Sequence, residues 1–256
     1  MNEAKEQPMI DLSQTGLSLH RATDVPITQF QVLGERGSGT NVVRKTMEKN
    51  LRLMRVEGLG WKHGFPHMVC IPDDLLVVCV VRNAAAWALS MHKRPWHVAP
   101  EVQALGFSEF LRAEWRSVVD RPPDFEMLSD ELHGQGATLQ YDRHPITGLP
   151  FENLFRLRTA KLRALEGIAN RGCSFVFVQL EVFHVLGEDY LHQLCEAFDV
   201  TRKVPHFKQV TRRLGNKWNQ SVRNHRETPE EIGDADAEFM LSQLDPDLEA
   251  RFGYVY

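Results

Sequence analysis

Residues 34–41, Gly-Glu-Arg-Gly-Ser-Gly-Thr-Asn, constrain this chain more than any other stretch. Before them, Ile27–Leu33 alternates apolar and polar side chains and carries β-branched residues, which predicts a strand. After them, Val42, Val43, Met47 and Leu51 fall at helical spacing. The predicted order is strand, glycine-rich turn, helix. Glycines at 34, 37 and 39 permit positive φ and let a ligand approach the backbone closely. Successive N–H groups then face inward at a helix N-terminus, where the macrodipole favours an anion. Ser38 and Thr40 add hydroxyls. A turn that merely reverses the chain would carry the same glycines, so the loop needs a second feature beside it.

That feature is a second unit of the same kind. Leu75–Val81 is a continuous apolar run, the pattern of a central parallel strand buried on both faces. Arg82-Asn83 ends it, and Asn83 is placed to cap a helix from Ala84 to His92. Two strand–loop–helix units predict an α/β fold with a parallel central sheet flanked by helices. From Gly34 to Gly39 the spacing also follows the phosphate-loop pattern G-x-x-x-x-G-K-[ST]. Thr40 stands where the lysine belongs, and Asn41 where the magnesium-binding hydroxyl belongs. Such a loop suits an anion held without a metal.

The remaining chain is read more coarsely. Its 256 residues suffice for one large domain, taken as 27–256 after a loose arm at 1–26. A net charge of −4 argues against a broad nucleic-acid surface, so any anion site must be locally basic. Cys70, Cys79, Cys173 and Cys195 form no C-x-x-C pair, which argues against zinc and disulfides. Met1–Leu12 lacks the apolar core of a signal peptide, and no apolar run reaches membrane-spanning length, so a cytoplasmic protein is expected. Leu53–Leu59 offers a further strand. Phe107–Val119 reads as one amphipathic helix, and residues 95–150 as an irregular insertion with a turn at His144–Pro150. Leu154, Leu157, Lys161, Leu162 and Leu165 mark a helix whose apolar face alternates with basic residues. Ser174–Val178 is a strand, Glu188–Phe198 a helix, Lys203–Arg226 a basic and aromatic stretch, and Pro229–Leu244 an acidic helix.

Several of these stretches together resemble the sulfotransferases that use 3′-phosphoadenosine-5′-phosphosulfate (PAPS), enzymes with a P-loop nucleoside-triphosphate-hydrolase-like fold. Ser38-Gly39-Thr40 matches the Ser-Gly-Thr core of the family's 5′-phosphosulfate loop, with Arg36, Gly37 and Asn41 flanking it. The family's preceding cation is displaced by one residue, Gly37 taking its place. Arg82 and Ser90, eight residues apart, match the family's 3′-phosphate motif, an arginine ending a strand and a serine in the next helix. The resemblance implies His63 as catalytic base and Lys62 as the cation on the leaving phosphate, in a shortened form of the family's Lys-x-His-x-Pro segment. His92 is the rival base. Arg213, Lys217 and Trp218 resemble the C-terminal segment that closes over the 3′-phosphate and adenine. The implied reaction is metal-free sulfuryl transfer to a hydroxyl or amine of a small-molecule or glycan acceptor. Trp61, Phe65, Trp96 and Trp115 are candidates to line the acceptor pocket. Two other readings stay open on the sequence: a P-loop kinase or nucleotidase using ATP and Mg²⁺, and a non-catalytic nucleotide-binding module.

Overall fold

The computed structural model describes residues 10–125, 130–211, 214 and 219–256. Five strands are present among them: β1 Leu17–His20, β2 Gln29–Gly34, β3 Met54–Arg55, β4 Leu75–Val81 and β5 Phe175–Gln179. They form one sheet in the order β1-β5-β4-β2-β3, parallel except for β1, which pairs antiparallel with β5. Ten α-helices accompany them among the described residues: α1 Thr40–Asn50, α2 Ala84–Lys93, α3 Pro100–Gln103, α4 Phe107–Arg112, α5 Asp130–His133, α6 Leu154–Glu166, α7 Leu180–Leu186, α8 Glu188–Phe198, α9 Asp234–Gln243 and α10 Pro246–Arg251. None of the helices among the described residues is long and apolar enough to cross a membrane.

β4 is the centre of the sheet, and every one of its residues is buried. Its two faces feed two cores. Val77, Cys79 and Val81 pack with Leu33 and Phe177 against Leu162 and Leu165 of α6 and Leu248 of α10. Leu76, Val78 and Val80 pack with Phe30 and Val32 against Val43 and Met47 of α1 and Leu191 and Leu194 of α8. Each such side chain contributes about 1.5–3 kcal/mol on burial. A valine-rich apolar run with no charged or hydrogen-bonding side chain to satisfy therefore has one stable place, between two helical layers.

Connectivity places the loop. The chain leaves β2 through α1 and adds β3 on one side, then passes to the other side of β2 to add β4. This reversal is the topological switch point, where open α/β sheets form a crevice beyond the carboxyl ends of their strands. Gly34 pairs with Val80 and Val80 with Val178, so β2, β4 and β5 end along one edge. The glycine loop and Arg82 both lie on that edge.

Four expectations need correction. The stretch read as a loose arm contributes β1, and Ile10 and Leu12 are buried. Leu53–Leu59 yields only the two residues of β3. The helix expected over Phe107–Val119 stops at Arg112. From there burial alternates, with Trp115, Ser117 and Val119 inward, which is strand periodicity; Trp115 accordingly bridges Phe151 and Val118 bridges Thr138. The acidic helix begins at Asp234 rather than Pro229.

α6 holds much of the site, and Asn153 starts it. The Asn153 Oδ1 accepts the N–H groups of Phe155 and Arg156, both at 3.0 Å, while its Nδ2 donates to Gln243 at 3.0 Å. Asn153→Ala is expected to lower unfolding stability by about 1–2 kcal/mol, from the lost cap and the orphaned Gln243. Urea denaturation would show this as a lower midpoint with an unchanged slope.

Candidate functional site

The glycine loop turns directly into α1. Gly39 is the N-cap at φ +91°, and a side chain there would meet Leu180 Cδ1 at 2.3 Å. No side chain caps α1. The N–H groups of Gly37, Gly39, Thr40 and Asn41 have no acceptor among the described residues. Four donors at the positive end of a helix form a cradle for an anion. Ser38 is fully buried and donates its hydroxyl to the Glu35 carbonyl at 2.7 Å, so its proton closes the turn rather than facing outward.

Arg82 and Ser90 converge on the same loop. Arg82 Nη1 donates to the Gly37 carbonyl at 2.9 Å. A methyl group built on Gly37 would come within 3.3 Å of Ser90 Oγ. Asn83 caps α2 as expected, its Oδ1 accepting from the Ala86 N–H. Glu181 accepts the Asn83 N–H at 3.0 Å and the Tyr254 hydroxyl at 2.9 Å, and the Tyr256 hydroxyl accepts the Ala84 N–H at 2.8 Å. Glu181 and Tyr256, both remote in the chain, thus fix the backbone just after Arg82, and Tyr254 holds Glu181.

Lys62 and His63 run along the other side of the loop. Lys62 Nζ donates to Asn41 Oδ1 at 2.6 Å, and the Gly34 N–H donates to the Lys62 carbonyl at 3.0 Å. His63 Nδ1 lies 2.6 Å from the Gly34 carbonyl. A carbonyl can only accept, so Nδ1 carries the hydrogen and Nε2 keeps its lone pair. Burial, with the Lys62 cation beside it, holds the His63 imidazole neutral well below its ordinary titration range. Burial also lowers the Lys62 ammonium to about 8, helped by the nearby Arg44. Trp61 meets His63 edge-on, 5.2 Å between centroids, and joins His97, Phe125 and Tyr141 in an aromatic wall.

Beneath the loop lies a buried ionic network. Arg158, fully buried, grips Glu249 with Nε and Nη2 at 2.7 and 2.8 Å, Glu35 with Nη1 at 3.0 Å, and the Arg82 carbonyl at 2.8 Å. Asp142 pairs with Arg36 and with Lys161, the latter at 3.0 Å, and accepts the Ser117 hydroxyl at 2.7 Å. Lys161 also donates to the His63 carbonyl at 2.7 Å and the Tyr141 carbonyl at 2.6 Å. α6 therefore holds the backbone of both motif segments, at Arg82 and at His63.

No protein-family model, curated protein or solved structure matches this chain. The site therefore rests on its own geometry. It brings together Gly37, Ser38, Gly39, Thr40, Asn41, Lys62, His63, Arg82 and Ser90. Arg36 is turned away, its guanidinium buried on Asp142 and the Trp96 carbonyl. His92, two residues beyond Ser90 and so about 200° round the helix, faces Thr228, Phe107, Phe110 and His225 instead of the loop. Trp115 and Phe65 are buried in the core of α2, α4 and α6. Arg213, Lys217 and Trp218 lie outside the described residues. Sequence reasoning missed Glu35, Asp142, Arg158 and Glu249. The available signal was on α6, where two long cations three positions apart share a face with Leu157, Leu162 and Leu165.

Burial alone would favour protonated Asp142, but Arg36 and Lys161 outweigh it and hold the carboxyl well below the usual range. A carboxyl lowered on folding stabilises above its unfolded value of about 3.9, and that contribution fades as pH falls toward the folded value. Asp142→Asn is expected to cost about 3–5 kcal/mol at pH 7, because it strands two buried cations. Chemical denaturation between pH 2 and 7 should show a flatter acid limb for the variant.

Proposed function

We propose that this chain transfers a sulfuryl group from PAPS to a hydroxyl or amine of a small-molecule or glycan acceptor, on a P-loop sulfotransferase-like fold in the cytoplasm. The observation that carries this reading is the meeting of Arg82 and Ser90 at Gly37, beside a loop with four N–H donors that have no acceptor among the described residues. Two adjoining anion-binding groups suit a nucleotide with phosphates at both its 5′ and 3′ positions. A guanidinium at the strand end grips phosphate bidentately, and Ser90 adds a hydroxyl.

His63 Nε2 takes the acceptor's proton. The electron pair freed on the acceptor oxygen or nitrogen forms the bond to sulfur, and the S–O bond to the 5′-phosphate breaks with its pair on the phosphate oxygen. The loop N–H groups and Lys62 stabilise the charge that develops there. Lys62 reaches it by exchanging Asn41 Oδ1 for a phosphate oxygen. Arg82 and Ser90 position the donor through its 3′-phosphate. Thr40 and Asn41 in place of the lysine and the magnesium-binding hydroxyl weigh against the ATP-dependent alternative.

Calorimetric titration tests the reading. 3′-Phosphoadenosine-5′-phosphate should bind with an affinity on the order of micromolar. Arg82→Ala should weaken it by roughly 1.5–3 kcal/mol, about 10–150-fold, and barely change binding of the analogue without the 3′-phosphate. Tighter binding of ATP·Mg²⁺, or an unchanged Arg82→Ala, would overturn it. Nucleotide binding without turnover of PAPS on any acceptor would mark a binding module instead.

A further inference from the structure

A small cavity behind the loop is lined by Glu35, Arg36, His63, Trp87, Asp142 and Lys161, among others, and has room for about one water molecule. Two of these residues carry a polar atom with nothing bound to it. Glu35 is only 4% exposed, and its Oε2 takes the Arg158 hydrogen bond, yet its Oε1 has no hydrogen-bond partner among the described residues. The bond the His63 ring makes among the described residues is that of Nδ1 to the Gly34 carbonyl, which leaves Nε2 with its lone pair unused. Leaving a buried carboxylate oxygen unpaired costs about 1–3 kcal/mol or more. Such a group calls for an explanation.

We propose that Glu35 and His63 act as one proton-holding pair across this cavity, His63 Nε2 receiving the acceptor's proton and Glu35 Oε1 keeping it. The inference rests on the sulfuryl-transfer reading for its direction, from acceptor to His63. The proton leaves the acceptor, arrives on Nε2, and passes to Oε1 through one water in the cavity, which accepts one proton and gives up another. His63 ends neutral, and Glu35 ends as a carboxylic acid. Glu35 acts through His63 and is a positioning residue.

The charges around the cavity favour this assignment. After burial itself, the charges of Lys62 and Arg36 oppose an imidazolium at His63. A proton left on His63 would be costly, so the site needs a carboxylate to hold it. Asp142 is in the cavity wall, but both its oxygens are engaged by Arg36, Lys161 and Ser117. Glu249 holds Arg158 through two bonds, which leaves Glu35 with one. Burial pushes the Glu35 carboxyl up to about 7, with Arg158 and Lys161 opposing and Glu249 and Asp142 reinforcing. A carboxylate of that affinity is ionised and ready to receive a proton just above neutral pH.

The test is an NMR titration of the full chain, with ¹³C-labelled histidine and glutamate and His63 assigned by His63→Gln. The His63 ring carbons should report a step with a midpoint about 7, matching the Glu35 carboxyl carbon, because the two titrate as a pair. Glu35→Gln keeps an acceptor for Arg158 and should abolish that step. Should this variant not fold, His63→Gln serves in its place, and the Glu35 midpoint should fall by about one unit or more as its proton-sharing partner is lost. A flat His63 signal across pH 6–8, or a Glu35 midpoint unmoved by His63→Gln, would overturn the pairing. The titration is read on the free protein. Failure of nucleotide binding would thus remove the sulfuryl reading and leave the coupling intact, whereas a flat titration would remove the pair and leave nucleotide binding intact.

Discussion

Gly34 stands opposite Val80 in the parallel ladder of β2 and β4, so the glycine loop and Arg82 leave the sheet side by side. Register in a sheet is fixed by which side chains are buried, and a slip of one residue would turn Val77, Cys79 and Val81 into the wrong core. The apolar content of β4 therefore determines more than stability. It sets the distance between the cradle of N–H donors and the guanidinium that meets it at Gly37. The same ladder brings Lys62 and His63 into place, because they bond to Gly34, the last residue of β2.

The ionic network under the loop is harder to explain by stability. Three cations and three carboxylates are buried there, Arg36, Lys161 and Arg158 with Asp142, Glu35 and Glu249. Desolvating such groups consumes most of what their attraction returns, and apolar residues of similar volume often stabilise as well or better. What apolar residues cannot do is hold a carbonyl. Arg158 holds that of Arg82, and Lys161 those of His63 and Tyr141. The network trades little net energy for a fixed backbone on either side of the loop.

Much of this was legible in the sequence, for physical reasons. β4 and α8 are long and strongly patterned, and burial follows their pattern. The glycine loop, Asn83 and the Arg82–Ser90 spacing are local features, and the structure gathers them where local chemistry indicates. β1 was not legible, since four residues carry too little periodicity and its partner is remote. Trp115–Val119 was misread because a helix ends and a strand-like segment begins inside one apolar stretch. The ionic network was invisible as a unit because its partners come from separate parts of the chain, Glu35 lying 123 positions from Arg158. Only the two cations on α6 hinted that a helix face was buried against charge.

β1 has a consequence in time. Leu17 pairs with Val178, and β5 is the one strand that β1 pairs with among the described residues. On a translating ribosome adding roughly 5–20 residues per second, β1 would wait on the order of 10–30 seconds for β5. During that interval β2 and β4 can pair, but Val176 and Val178 are not there to cover β4. The sheet would therefore close late and from its C-terminal side, through long-range contacts that are intrinsically slow to form. Even then the two faces of β4 wait for α8 and α10, which follow β5 in the chain and supply Leu191, Leu194 and Leu248 to its cores.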